Sequence, residues 1–333
     1  MKALVCLAPG ELQLAARAAP GAPAFGWANV AIRHVGICGT DYHIFGGNQP
    51  FLTYPRVMGH ELSGTVSAVG RGVDLPIGAP VVVNPYISCR ACAACRKGKP
   101  NCCMSIEVLG VHIDGGMCEE ISVPAANLYP AEGLSLRDAA MVEFLAIGAH
   151  AARRAAAVPG ESALVVGIGP IGLGAALFAR IAGLRVTLLD SSPERLAFAR
   201  DVLQFTSAAT AREQAMERAG GDGFDVVFDA TGNAAAIEAG FALVAHGGRY
   251  VLVSIVKDRI SFADPEFHKR EMSLLGSRNA LKVDFDHVMA KIRSGVLPLG
   301  ALATHRTTLE DMPRDMALWS HDKRGLIKAI IDI

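Results

Sequence analysis

Four cysteines lie close together in the segment SCRACAACRKGKPNCC, with the spacing C-x2-C-x2-C-x7-C. Grouped thiolates can share one tetrahedral ion, and their softness favours zinc over harder cations. A disulfide pair is the alternative, but these four are half of the chain's eight cysteines and nothing in the sequence indicates secretion. The spacing therefore predicts a structural zinc lobe with Cys102 as a spare thiol. The predicted ligands are Cys89, Cys92, Cys95 and Cys103.

A second set of metal-binding side chains precedes this lobe. Cys38 occurs in GICGTD, and His60 and Glu61 follow in GHELSGTVSAVGRGV. Thiolate, imidazole and carboxylate all bind zinc, and three protein ligands leave a position open for water or substrate. The alternative for His60 and Glu61 is a buried polar pair that closes a loop. Together with Cys38 they predict a catalytic zinc site.

A glycine-rich turn carries the third chemical signal. Residues 162–179 contain no charge and would imitate a membrane span, but their glycines and one proline divide them into a strand, a turn and a helix start. Such a turn lets the backbone approach a pyrophosphate, and the helix N-terminus beyond it offers unpaired N–H groups. The segment predicts a dinucleotide site. Its predicted contacts are Gly167, Gly169, Pro170, Ile171 and Gly172.

Asp190 ends the next strand, RVTLLD, and is predicted to select the cofactor. Its carboxylate can accept hydrogen bonds from the ribose hydroxyls of NAD, whereas the 2′-phosphate of NADP would be repelled by about 3 kcal/mol per unit charge at 5 Å. A capping role at the following helix, whose start is Ser192-Pro193, is the alternative. Arg195 could shield adenine, pair with Asp190 or do neither. Further predicted cofactor contacts are Thr231, Val253 and Ser277.

The elements that position these residues fall into two textures. From residue 158 to 278, strands such as FDVVFD alternate with helices such as AAAIEAGFALVA (234–245), followed by a strand GGRYVLVSI (247–255). This alternation predicts a doubly wound parallel sheet. Residues 1–157 instead contain short strands broken by Gly and Pro, which predict a partly barrel-like β domain. Residues 279–333 are expected to return to that first domain.

The same residues carry a family resemblance. The order of GICGTD, GHE-x-x-G-x5-G-x-x-V, the four-cysteine lobe and GIGPIG resembles the zinc-dependent medium-chain dehydrogenases over nearly the whole chain. That family implies a GroES-like catalytic domain beside a Rossmann domain, with Cys38, His60 and Glu61 as catalytic ligands. Glu61 and Glu143 resemble the sorbitol and threonine dehydrogenase branch, although Phe144 replaces a proline usual there.

The resemblance also assigns roles around the metal. Glu143 is implied as an alternative ligand or as a holder of the zinc-bound water, with a purely structural carboxylate as the other possibility. Thr40 and His43 are implied to carry the proton outward, although His43 could equally be an ordinary surface histidine. The expected reaction is hydride transfer from a secondary alcohol to NAD in a cleft between the domains.

The substrate is expected to be a polyol, a sugar or a sugar acid, because residues 45–61 and 108–117 resemble bacterial sugar-acid oxidoreductases. Threonine-like amino-alcohol oxidation and a non-catalytic binding protein on the same fold are the alternatives. Arg278 is expected either to hold a substrate carboxylate or to contact the cofactor or a second subunit. The residues expected to line the substrate site are Phe45, Asn48, His112, Asp114 and Arg278.

Composition limits the partners. The formal net charge is zero over 333 residues, with neither a basic block nor an acidic tail, so we expect neither nucleic acid nor an anionic membrane as a partner. The N-terminal segment does not resemble a signal peptide, and a cytoplasmic location with reduced thiols is expected. A homodimer or homotetramer is implied by the family alone.

Overall fold

A computed structural model describes residues 1–49 and 52–333 of the chain. Pro50 and Phe51, which belong to the segment 45–61 that resembles sugar-acid oxidoreductases, lie outside these ranges. The chain forms two compact units, the first comprising Met1–Glu143 with Met289–Ile333 and the second Phe144–Val288. Most helices and strands lie within a single unit.

The N-terminal part of the first unit is mostly short strands. Its strands are β1 (Lys2–Ala8), β2 (Glu11–Ala16), β3 (Trp27–Gly36), β4 (Arg56–Val57), β5 (Glu61–Val69), β6 (Pro80–Val83), β7 (Tyr86–Ile87), β8 (Glu107–Val108), β9 (Glu120–Pro124) and β10 (Leu128–Pro130). Its helices are α1 (Gly39–Phe45), α2 (Ala93–Arg96) and α3 (Leu136–Ala139), with 3-10 turns at Pro100–Cys102 and Ala125–Asn127.

The second unit alternates strands and helices. The helix α4 (Val142–Arg154) leads into it. Its strands are β11 (Ser162–Val166), β12 (Arg185–Leu189), β13 (Ser207–Ala209), β14 (Phe224–Asp229), β15 (Val244–Leu252) and β16 (Ser273–Gly276). Its helices are α5 (Pro170–Ile181), α6 (Pro193–Asp201), α7 (Arg212–Arg218), α8 (Ala234–Gly240) and α9 (Asp264–Lys269).

The chain then returns to the first unit. The helix α10 (Lys282–Arg293) leads back, and α11 (Leu299–Leu302), β17 (Ala303–Thr308), α12 (Met312–His321) and β18 (Lys328–Asp332) follow. The strand β18 pairs antiparallel with β3, so the C-terminus joins the sheet that also contains β5.

The core of the first unit lies against a seven-stranded sheet of order β10-β6-β5-β3-β18-β17, in which β9 also pairs with β3. All its pairings are antiparallel except that of β17 with β18. Inward side chains such as Val30, Ile32, Leu62 and Ile331 form the buried cluster. The predicted β-rich domain is therefore confirmed.

The second unit contains a six-stranded sheet of order β13-β12-β11-β14-β15-β16 in which every pairing is parallel. The order reverses direction at β11 and β14, as a doubly wound fold requires. The charge-free residues 162–179 form β11, the glycine turn and the start of α5, as predicted. Among the described residues, no helix is both long and apolar enough to cross a membrane.

The unit borders fall inside helices. The sequence placed domain borders at 157/158 and 278/279, where the alanine-rich helix and the last parallel strand end. The compact units instead change at Glu143/Phe144 and Val288/Met289, within α4 and α10. The amino-acid composition does not change at a unit border that lies inside a helix. The borders predicted from the sequence therefore fall at the ends of helices and strands.

One predicted helix is shorter than expected. The segment 234–245 was predicted to be helical throughout, but α8 ends at Gly240, a 3-10 turn covers Phe241–Leu243, and β15 begins at Val244. At Gly240 an added Cβ would lie 2.1 Å from the Tyr250 hydroxyl, so the helix end packs tightly on β15. Val244 pairs with Phe224 before the register shifts at the glycines of β15. Strand pairing thus overrides the local helical pattern.

Candidate active site

The start of α1 positions Cys38, the first of the three predicted metal ligands. Cys38 is the residue before the helix, and its backbone N–H donates to Oδ2 of Asp41 at 2.8 Å. The ligand atoms of Cys38, His60 and Glu61 all lie within 4.8 Å of one another, where β5 begins. A Cβ added at Gly36 would lie 2.2 Å from Oε2 of Glu61, so the neighbouring strand needs glycine there. The predicted trio is brought together.

The chemistry of these donors fits zinc. His60 is buried, and its Nδ1 has no hydrogen-bond partner among residues 1–49 and 52–333 but lies 3.9 Å from Oδ1 of the fully buried Asp41. Burial by itself lowers the pKa of His60, but the negative groups of Cys38, Asp41 and Glu143 raise it well above 6.5. A cation is therefore favoured at this point. Asp41 lies on the side of the ring where an outer carboxylate holds a metal-binding histidine, although 3.9 Å is too long for a hydrogen bond.

Lys328 completes the charge balance, although the sequence interpretation did not include it. Its side chain is 1% exposed, and Nζ donates to Oε1 of Glu61 at 2.6 Å and to the carbonyl oxygen of Ile37 at 3.0 Å. A signal was present, because Lys328 is a single cation in the apolar terminal segment IKAIIDI. A lysine in such a strand needs a buried acceptor.

Glu143 faces the same buried region but lies outside the three-ligand cluster. The hydroxyl of Tyr86 donates a short hydrogen bond to its Oε1. Burial and the carboxylate of Glu61 raise the pKa of Glu143, His60 and Tyr86 lower it, and the net result is a pKa of about 7. Tyr86 was missed because no motif marks it. A role for Glu143 in the metal shell stays a prediction.

The four-cysteine lobe is assembled as the spacing predicted. The four Sγ atoms all lie within 4.8 Å of one another, and all four cysteines are free thiols. Separations of 3.4 Å between Cys89 and Cys103 and 3.5 Å between Cys92 and Cys95 exclude disulfides here. A tetrahedron with zinc–sulfur bonds of about 2.3 Å has edges of about 3.8 Å, so the set fits zinc. Cys102 is exposed.

The glycine turn has the geometry that a pyrophosphate site needs. Gly167 has φ of 80°, which favours glycine, and an added Cβ at Gly169 would meet nothing within 4 Å. A Cβ at Gly172 would lie 1.9 Å from the Gly167 carbonyl oxygen, so the helix packs directly on the turn. Pro170 occupies the first turn of α5 together with Ile171. The backbone therefore leaves an open cradle at the helix N-terminus.

A cavity of about 730 Å³ adjoins this cradle. Its lining includes the predicted residues Gly167, Gly169, Asp190, Arg195 and Thr231. It also includes Thr210, Arg212 and Glu213, which the sequence interpretation did not name. They follow β13, a three-residue strand whose small size hid the position of this loop.

Two other predicted cofactor contacts lie at strand ends. Val253 donates its N–H to the Asp229 carbonyl oxygen at 2.9 Å, and Ser277 donates its N–H to Leu252 at 2.9 Å. The Ser277 hydroxyl is buried and has no hydrogen-bond partner in the described part of the chain, which leaves a polar atom for a ligand. Their contact with the cofactor stays a prediction.

Asp190 is buried and already accepts two backbone hydrogen bonds. Ile168 N–H donates to Oδ2 and Ser192 N–H to Oδ1, both at 2.8 Å. Ser192, whose side chain accepts from Arg195 N–H, caps α6. Each carboxylate oxygen keeps a second lone pair for a ribose hydroxyl. Nη1 of Arg195 lies 3.5 Å from Oδ2, so of the three alternatives for Arg195 the structure favours the pairing with Asp190.

The residues expected around the substrate have varied surroundings. Phe45 is 9% exposed and packs in the core of the first unit, so core packing explains its presence without a substrate contact. His112 accepts the Val108 N–H at Nδ1. Asp114 accepts the Val57 N–H at 3.0 Å and an Arg56 hydrogen bond at 3.3 Å, and therefore braces its own loop.

The remaining predicted residues lie nearer to solvent. Asn48 is exposed, and its N–H donates to the His43 carbonyl oxygen at 2.7 Å. Thr40 is half-buried and His43 exposed, both on α1. Arg278 is exposed just after β16. Substrate contact by these side chains stays a prediction.

Fold and site together define a class. The first unit is β-rich and contains a Cys-His-Glu cluster and a four-thiolate lobe, and the second is doubly wound with an open glycine turn. These features are typical of a zinc-dependent dehydrogenase.

Comparison with known proteins agrees with this class. Residues 25–133 match the alcohol dehydrogenase GroES-like domain, and residues 170–294 match the zinc-binding dehydrogenase model. The chain is 44% identical to L-galactonate-5-dehydrogenase of Escherichia coli K12, covering 99% of this chain and 98% of that protein. It is 34% identical to D-altritol 5-dehydrogenase of Agrobacterium fabrum, covering 86% of this chain and 87% of that protein.

A solved structure shows the same fold. The alcohol dehydrogenase rspB of Escherichia coli CFT073, complexed with NADH, matches with a TM-score of 0.93 and 29% identity over 100% of this chain and 99% of that chain. The chain belongs to the zinc-dependent medium-chain dehydrogenase family. It is an oxidoreductase that uses zinc and NAD.

Proposed function

We propose that this enzyme oxidises a secondary hydroxyl group of a sugar acid, a sugar or a polyol, with NAD as the hydride acceptor. The observation that carries the proposal is the Cys38, His60 and Glu61 cluster in a chain 44% identical to L-galactonate-5-dehydrogenase. Similarity to D-altritol 5-dehydrogenase supports the same class of substrate.

The residues of the first unit supply the site for the alcohol. Cys38, His60 and Glu61 would hold the metal, and Asp41 would orient the His60 ring. Bound zinc would stabilise negative charge on the alcohol oxygen, and bound NAD would take up hydride from the adjacent carbon. Glu143, hydrogen-bonded by Tyr86, would hold a water beside the metal or replace it as a ligand.

The proton is proposed to leave along α1. Thr40 and His43 are three residues apart on this helix, so their side chains lie on neighbouring parts of its surface. Thr40 is half-buried and His43 exposed, which gives a direction from the site to solvent. A slower, buffer-dependent turnover in His43→Ala is the expected signature, whereas unchanged pH and buffer dependence would remove His43 from the relay.

We further propose that the substrate carries a carboxylate and that Arg278 binds it. The exposed guanidinium follows β16 at the carboxyl end of the parallel sheet, where ligands of such folds bind. A bidentate pair would orient the substrate so that one hydroxyl meets the metal. Contact with the cofactor or with a second subunit is the competing role.

The experiment measures kcat/KM for a hexonate and its matching polyol, with an amino alcohol as a third substrate. Wild type is expected to prefer the hexonate, and Arg278→Ala is expected to lose most of that preference. Arg218→Ala is the matched control, because α7 packs on β12 and β13, at the opposite edge of the sheet.

The outcomes separate the two claims. Equal or better use of the polyol by wild type would contradict the sugar-acid substrate. A hexonate preference that survives in Arg278→Ala would keep the substrate and remove Arg278. Preference for the amino alcohol would favour the threonine-dehydrogenase alternative.

The zinc content of the purified protein independently tests whether it is an enzyme. We expect about two zinc ions per chain, one in each ligand cluster. Zinc in the four-cysteine lobe alone would favour a non-catalytic binding protein.

We also propose a cytoplasmic homo-oligomer. All eight cysteines are free thiols, which suits a reducing compartment. The strand β16 ends the parallel sheet and exposes Leu274 at 38%, so a second copy could pair along this edge. Light scattering of wild type and Leu274→Lys tests this, and a monomeric wild type would contradict it.

A further inference from the structure

A buried carboxylate lies behind the cofactor turn in the second unit. Asp229 is the last residue of β14 and is fully buried. Three donors converge on its Oδ1: Thr231 N–H at 3.0 Å, the Thr231 hydroxyl at 2.8 Å and the Ser254 hydroxyl at 3.4 Å. All three belong to the loops that follow β14 and β15.

The second oxygen of Asp229 has a different environment. The Tyr250 hydroxyl oxygen lies 3.5 Å from Oδ2 and donates its proton to the Ile237 carbonyl oxygen at 2.9 Å. Within the described ranges, no cation forms an ion pair with Asp229. Burial raises the pKa of Asp229, and the hydrogen bonds from Thr231 oppose this. A buried carboxylate without a cation is costly, which calls for a reason beyond strand pairing.

The loop that Asp229 holds touches the glycine turn. A Cβ added at Gly167 would lie 3.0 Å from Cγ2 and 3.1 Å from Cα of Thr231, so the two backbones are in close contact. Gly232 N–H donates to the Ser254 hydroxyl at 2.9 Å. Gly167 and Thr231 both line the 730 Å³ cavity, whereas Asp229 and Ser254 do not. Asp229 therefore acts on the cavity only through its neighbours.

We propose that Asp229 is a positioning residue for NAD, which fixes the Thr231–Gly232 turn, with Ser254 as a second support, against the first glycine of the cofactor turn. The inference rests on the proposed use of this cavity by NAD. What Asp229 supplies is an acceptor at Oδ1. A side chain that keeps this oxygen should keep the function.

The competing explanation is that Asp229 only stabilises the sheet. The chain offers a matched control at the other end of β14. Asp225 accepts the N–H and the hydroxyl of Ser162 at its Oδ2, both at 2.7 Å, and so ties β14 to β11 at the edge of the sheet opposite the carboxyl ends. Its loss should weaken the fold without moving the Thr231–Gly232 turn.

The experiment titrates the zinc-loaded protein with NADH and follows nicotinamide fluorescence, with thermal unfolding measured in parallel. We expect Asp229→Ala to raise the Kd for NADH about tenfold, because a turn held by several hydrogen bonds is released. Asp229→Asn keeps Oδ1 and places an amide beside the Tyr250 hydroxyl oxygen, and its Kd should stay within about twofold of wild type. Asp225→Ala should lower the Tm with a Kd within about twofold.

Ser254→Ala keeps the test decisive if Asp229→Ala does not fold. It removes the acceptor for Gly232 N–H without touching the cavity, and we expect a Kd raised about threefold. An unchanged Kd in a folded Asp229→Ala, or in Ser254→Ala when Asp229→Ala does not fold, would overturn the proposal. Equal increases of the Kd in Asp229→Ala and Asp225→Ala would also overturn it. So would a Kd in Asp229→Asn as high as that in Asp229→Ala. A wild type that binds no NADH would instead overturn the cofactor assignment, and this inference with it.

Discussion

The ammonium group of Lys328 lies 2.6 Å from Oε1 and 2.5 Å from Oε2 of Glu61, and neither side chain is more than 1% exposed. The pair joins β18, near the C-terminus, to the first residue of β5. Glu61 therefore has Lys328 as one partner, and it would share a metal ion with its neighbours Cys38 and His60. Lys328 neutralises the carboxylate from within the protein.

Removing the lysine should therefore destabilise the fold. In zinc-free protein, Lys328→Met is expected to lower the free energy of unfolding by about 3 kcal/mol, because a buried carboxylate loses its cation. Glu61→Gln combined with Lys328→Met should recover much of this loss, since no charge is then left unpaired. Denaturant unfolding of the two single variants and the double variant measures the coupling. Additive losses would show that the two side chains act independently.

The two metal clusters should fail in different ways. His60→Ala is expected to abolish turnover while the fold survives, because an open site serves chemistry. Cys92→Ser is expected to lower the Tm, since a closed four-thiolate site holds the lobe together. Zinc content, Tm and turnover are measured on both variants, with Cys102→Ser as the control thiol. Normal activity in His60→Ala would refute the catalytic assignment.

Cofactor choice should depend on Asp190. Asp190→Ala removes the repulsion of a 2′-phosphate, worth about 3 kcal/mol at 5 Å, and leaves Arg195 available to the phosphate. It also removes the acceptor for Ile168 N–H and Ser192 N–H, so the value of kcat/KM for NAD should fall as well. We expect the ratio of kcat/KM for NAD to that for NADP to narrow at least tenfold.

Two variants accompany this measurement. Asp190→Asn keeps an acceptor for the turn and should separate the loss of charge from the loss of the hydrogen bonds. Asp201→Ala, exposed at the end of α6, is the control. If the ratio does not change in Asp190→Ala, another residue sets the preference.

A buried carboxylate between two helices predicts a pH dependence of stability. Asp284 of α10 accepts hydrogen bonds from Arg153 Nε at 2.6 Å and lies 2.8 Å from His150 Nδ1, both on α4. Burial would raise its pKa, but Arg153 and His150 lower the pKa from 3.8 to about 2. The charged form thus stabilises the fold above pH 3.8, and this contribution is lost as the pH falls towards 2.

Asp284→Asn should therefore be less stable than wild type by about 2 kcal/mol at neutral pH, with the difference shrinking below about pH 4. Comparing the two proteins at each pH removes the effect of metal loss that they share. Asp286→Asn is the control, because its pair with Lys282 is exposed and should contribute less than about 1 kcal/mol. A difference that persists undiminished down to pH 2 would contradict the assignment.

The sequence alone determined the features that depend on local spacing. Cysteines that are a few residues apart in the chain stay within reach of one metal ion, so the lobe around Cys92 was predictable. The glycine turn at Gly167 and the acidic residue Asp190 follow from one strand, one turn and one helix. The family resemblance then predicted that Cys38 and His60 bind the same metal ion.

Only the tertiary structure decided which distant side chains complete these sites. Lys328 meets Glu61 because β18 pairs with β3 beside β5, and Asp229 reaches the glycine turn through Thr231 because β14 and β11 are neighbours in the sheet. Neither pairing leaves a motif in the chain. Charge compensation in a protein interior depends on which residues folding brings together, and a linear pattern records only the residues that need a partner.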